Sequence, residues 1–121
     1  MAAFAIPVIA VFFLGMGLYA IAAPTALVRP FGITLTSSTS RSEVRAVYGG
    51  FGVAMAGILA IAAVRPDYRI GITLTVAVAL AGMAVGRMLS AAIERRRTPF
   101  YPDWFYCLVE VGAALLLFSS R

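Results

Sequence analysis

Residues 65–94 read RPDYRIGITLTVAVALAGMAVGRMLSAAIE. The opening five residues have the chemistry of a tight turn, with Pro66 and Asp67 suited to its central positions. From Ile70 to Ile93 the sole ionisable side chain is Arg87. At about 1.5 Å per residue, this run as a helix exceeds a ~30 Å hydrocarbon core. The short turn makes the apolar run that ends at Val64 its antiparallel neighbour. Arg87 then lies inside a membrane segment, where a charge is costly and usually faces the protein interior with a partner.

The rest of the chain agrees with a lipid setting. Of 121 residues, 62% are hydrophobic and 12% charged, whereas a soluble domain carries about a quarter charged residues. No soluble core in so short a chain could hide that much apolar surface. The net charge is +5 from arginine alone, since lysine is absent. These arginines sit at the ends of apolar runs, where they set orientation and touch anionic lipid; there is no basic face for nucleic acid. Histidine is absent and Cys107 is the single cysteine. An imidazole shuttle, a histidine metal site and an intrachain disulfide are therefore excluded, and neither cofactor nor metal is expected.

Four helices are predicted, over residues 4–23, 43–64, 70–93 and 104–119. Together they form a single domain, an all-α integral membrane antiparallel four-helix bundle. The first run lacks a basic n-region and is expected to be retained, ending at Pro24. The polar connection 25–42 contains RPFGITLTSSTS, with a short turn expected near Phe31 and a cap from Ser40 or Ser42, Ser40 paired with Glu43. Phe100, Tyr101, Trp104 and Tyr106 suit an interfacial aromatic belt. Threading the helices puts Arg29, Arg41, Arg45 and Arg95–Arg97 on one side, and Arg65, Arg69 and Arg121 on the other. The positive-inside rule then places both termini outside the cytoplasm, here the periplasmic side of a bacterial inner membrane.

Depth brings the charges together. Arg87 lies seven residues before Glu94, and Glu110 seven residues after Asp103. Both sit about 10 Å below the same surface. Arg87 with Glu110 is the expected pair, with Glu43 and Arg45 near the mouth and Tyr48 at a similar level. Three roles stay open for this cluster: a fixed ion pair that sets helix register, a polar pocket for the anionic head of an amphipathic ligand, or part of a proton path. Small residues at helical spacing mark close helix contacts: Gly49, Gly50, Gly52 and Ala56 in the second helix, Gly82 and Gly86 in the third.

The stretch SEVRAVYGGFGVAMAG, with Gly86-Arg87 and Glu110, resembles an uncharacterised bacterial membrane family, domain of unknown function 4345. Its most specific piece is Glu43-x-Arg45-x-x-Tyr48-Gly49-Gly50, and the chain is also similar to the wider DoxX-like group. The resemblance implies a four-helix bundle and carries no activity. Expected partners are membrane lipids, with a small amphipathic ligand, or a larger membrane complex or homo-oligomer. Three roles follow: an amphipath-binding protein, an accessory subunit of a respiratory or photosynthetic complex, or a lipid- or quinone-modifying enzyme, for which no catalytic set is recognisable.

Overall fold

The computed structural model describes residues 2–94 and 100–120; Arg95–Arg97 and Arg121, whose charge enters the orientation argument, lie outside them. Helix α1 (Ala2–Ala22) is followed by a one-turn α2 (Pro24–Val28) and a 3₁₀ turn, Arg29–Phe31. Three long helices come next: α3 (Ser38–Val64), α4 (Pro66–Glu94) and α5 (Phe100–Ser119). There is no strand among the described residues. Helices α1, α3, α4 and α5 are each long and apolar enough to cross a membrane. Their outer faces carry large apolar side chains, such as Val78 and Leu115, each 63% exposed. Water would penalise such a surface and lipid would not, so this is the make-up of a membrane protein.

Helix α1 begins two residues before position 4, and the starts of α3, α4 and α5 move four or five residues from expectation, each of these three for a local reason. Helix α3 begins five residues before position 43, because Ser37 is its N-cap. The Ser37 hydroxyl accepts from the Ser40 N–H and the Ser40 hydroxyl closes a capping box, where Glu43 was expected to do so. Helix α4 begins at Pro66 and not at Ile70. Proline is tolerated in the first turn, and Asp67 falls where negative charge suits the helix dipole. The break is Arg65 alone, which is extended and forms a bidentate pair with Asp67. Helix α5 begins earlier than position 104, through an irregular turn in which Tyr101 leaves helical geometry and the Tyr101–Pro102 peptide is cis.

The helices pack in sequence, α1 on α3, α3 on α4, and α4 on α5, with a thinner α1–α5 seam. The dry core fills one half of the bundle. Ile6, Ile9 and Phe13 of α1 meet Leu59 and Ala62 of α3, with Val76, Ala77, Ala114 and Leu117 opposite. Ile6, Val76 and Leu117 lie toward the end that holds the Arg65 turn, while Ile9 and Phe13 also border the hollow of the other half. Ala56 is buried in this cluster.

The α1–α3 crossing is a backbone-to-backbone contact. A Cβ on Gly17 would lie 2.8 Å from both the Gly49 carbonyl oxygen and the Val53 nitrogen. One on Gly52 would lie 3.0 Å from the Gly17 Cα, and one on Gly49 2.6 Å from Ile21 Cγ1. A π-turn over Arg45–Gly50 leads into this contact in α3 and includes Gly49. Gly82 and Gly86 do not serve the packing expected of them. They face away from the bundle and a Cβ there would meet nothing within 4 Å. A Cβ on Gly50 would likewise meet no other helix, only the Arg45 carbonyl of its own helix at 3.8 Å.

Gly17→Ala should therefore push two backbones apart and lower stability by about 1–3 kcal/mol. Gly86→Ala should be neutral or stabilise by up to ~1 kcal/mol, through helix propensity alone. Thermal unfolding of the two variants in one detergent checks this; equal losses would contradict the close crossing.

Candidate functional site

Arg87 and Glu110 face each other across the α4–α5 interface. Arg87 Nε donates to Glu110 Oε1 at 2.8 Å, and Nη2 donates to Oε2 at 3.2 Å. Two parallel bonds fix a planar fork against a planar carboxylate, the geometry that makes arginine better than lysine here. Glu110 is 5% exposed, while the Arg87 side chain keeps 26% of its surface open. Aromatic rings flank the guanidinium. Its carbon lies 5.8 Å from the centre of the Phe31 ring and 5.6 Å from that of Tyr106, distances at which the ring quadrupoles attract a cation.

Phe31 reaches this position from the loop. The Arg29–Phe31 turn ends at Gly32, whose φ of +74° is left-handed and suits glycine. The Phe31 and Tyr106 rings then lie 5.5 Å apart, and Tyr106 also contacts Tyr101 and Phe105. Tyr106 thus belongs beside the ion pair in addition to any interfacial role.

The pair borders a cavity of about 1070 Å³ in the half of the bundle that the dry core leaves unfilled. Its wall is almost wholly apolar, with Phe12 and Met16 of α1, Phe51 of α3, and Leu80 and Met83 of α4. The polar members are Arg87, Glu110 and the tyrosines 19, 48, 101 and 106. No serine, threonine, cysteine or lysine lines it among the described residues. Nor do those residues contain three His, Cys, Asp or Glu grouped to hold a metal.

The sequence grouped five residues at this level, and the structure brings three to the cavity: Tyr48, Arg87 and Glu110. Glu43 and Arg45 do not line it. Arg45 turns to α1 instead, where its Nε donates to the Ile21 carbonyl at 2.9 Å. The last carbonyls of a helix lack intrahelical donors, and in lipid water cannot supply them. Arg69 does the same for α3, donating to the carbonyls of Ala62 and Ala63. Glu43 stands exposed in the second turn of α3. Cys107 is buried, its sulfur 3.8 Å from the Ala84 carbonyl, as a packing residue between α4 and α5.

Two contributors lay beyond the sequence argument. Phe31 carried a signal, since a lone aromatic between Pro30 and Gly32 in a polar loop is apt to fold inward. Gly17 carried little, because the spacing of glycines in α1 does not reveal which one meets α3.

Removing either charge should expose the coupling. Arg87→Ala should destabilise by about 3 kcal/mol, because it strands a buried carboxylate. Glu110→Ala should cost less, since the partly open guanidinium can turn to the cavity. The double variant should lose less than the sum of the two. Thermal melts of all four proteins give the coupling energy, and strict additivity would show the pair is energetically idle.

No curated protein and no solved structure matches this chain. A family match does cover it: the chain belongs to the family described as Domain of unknown function (DUF4345), over residues 1–120.

Proposed function

We propose that this chain binds a small amphipathic or lipid-like molecule within the membrane, in the cavity beside Arg87 and Glu110. The observation that carries this is the pairing of about 1070 Å³ of apolar space with one bidentate ion pair on its wall. Ligand sites are typically apolar hollows of about 300–1,000 Å³ with a few placed polar groups. A tail would lie against Phe12, Met16, Phe51 and Met83, and a polar head would sit at Arg87. The membrane is the inner membrane of a bacterium, with both termini periplasmic. The support is the excess of arginines beside the two longer loops, including Arg29 and Arg41.

An accessory-subunit role draws on a different observation. Gly82 and Gly86 face outward with open space above them, a surface on which a helix of another chain could pack closely.

Native mass spectrometry of the protein released from membrane extract separates the two. Ligand binding predicts a lipid-sized adduct that survives mild activation and is lost in Ala113→Phe, which fills the cavity from α5. A bare monomer in every preparation would overturn ligand binding. Adducts of protein size would favour the accessory role.

A further inference from the structure

The head group that suits this cavity is set by what the ion pair leaves unused, a point that rests on the amphipath binding proposed above. Arginine has five N–H donors. Glu110 takes one from Nε and one from Nη2. No other acceptor among the described residues meets the remaining three, and the guanidinium lines the cavity wall with a quarter of its side chain open. Both Glu110 oxygens are engaged with Arg87. The wall therefore offers hydrogen-bond donors with their charge already balanced.

An anionic head, the form suggested by arginine alone, fits this poorly. A phosphate or carboxylate placed on the free donors would bring a second negative charge close to Glu110 in a water-poor site. Displacing Glu110 instead would strand a carboxylate that is 5% exposed. A head that accepts hydrogen bonds and brings no charge meets neither penalty. Tyrosines of the same wall, Tyr48 among them, can donate to such a head or accept from its hydroxyls. The rings of Phe31 and Tyr106 flank the guanidinium, which favours a compact head. We propose that the occupant is an uncharged amphipath with an ester, ketone or glyceride head, with Arg87 as donor and Glu110 as the group that makes the site selective against anions.

The test uses two probes with the same tail and glycerol, 1-oleoylglycerol and 1-oleoylglycerol 3-phosphate. Each is titrated against the purified full-length protein in a neutral detergent, with binding read by native mass spectrometry. The unaltered protein should bind the uncharged probe at least tenfold more tightly. Glu110→Gln keeps the shape and an accepting oxygen but frees the arginine charge, so it should narrow or reverse that preference. Equal or tighter binding of the phosphate form by the unaltered protein would overturn the uncharged head and leave amphipath binding intact. Failure of both probes to bind the folded protein would remove amphipath binding and this inference together. A preference unchanged in Glu110→Gln would show that Glu110 does not set it. Should that variant fail to fold, the ratio measured on the unaltered protein decides alone.

Discussion

In a membrane every polar group that cannot reach water must be answered by another part of the protein, and three arginines show how this chain obeys that constraint. Arg45 of α3 answers the end of α1, Arg69 of α4 answers the end of α3, and Arg87 of α4 answers Glu110 of α5. Each spans a pair of helices that pack together. Lipid supplies no hydrophobic drive between helices, since its tails are as apolar as leucine. Directional bonds of this kind therefore fix which helices are neighbours and at what register. Arg45 and Arg69 act on backbone carbonyls at helix ends. Arg87 alone acts on a side chain at depth, and so it alone places a polar surface inside the bundle.

The glycine contact supplies what the arginines cannot. The Arg45 bond to the end of α1 ties α1 to α3 without setting how closely the two helices approach midway. Gly17 against Gly49 and Gly52 lets the backbones touch, so dispersion contacts accumulate along the crossing. The π-turn at Arg45–Gly50 inserts extra backbone at the start of this contact, and such turns recur at functional sites. Here it has a visible use: the same segment sends Gly49 to α1 and Val47 and Tyr48 to the cavity.

Much of this was legible in the sequence where a single physical quantity governs. Helix number follows from apolar length against membrane thickness. The Arg87–Glu110 level followed from counting residues down from each end of the same loop, because a helix converts residue number to depth almost linearly. What failed depended on azimuth. Gly82 and Gly86 have the spacing of a packing pair, but spacing does not say whether that face points in or out. Arg45 lies near the correct depth and yet turns away, because an unanswered carbonyl at Ile21 was closer at hand. Helix starts failed at Ser37 and Pro66 for another reason. Polar caps look like loop by composition, although they are the chemistry that begins a helix.

The cavity follows from these pairings. Close approach draws α1 onto α3, and the ion pair draws α4 onto α5. In the half near the Arg65 turn, Ile6, Ile9 and Phe13 fill the space between the two pairs with Leu117 and Val76. In the other half α1 divides its faces, with Gly17 and Ile21 against α3 and Met16 and Tyr19 on the cavity wall, and the α1–α5 seam is thin. Large flat rings occupy that end, and rings held in place around a guanidinium cannot fold down to fill a gap as aliphatic chains do. A sequence selected only to fix helix register could have closed the space with leucine beside the ion pair. Instead the loop carries Phe31 inward to the ion pair and leaves the apolar space below it unfilled. That arrangement separates a rigid polar rim from an apolar hollow, and the separation matches the two ends of an amphipathic molecule.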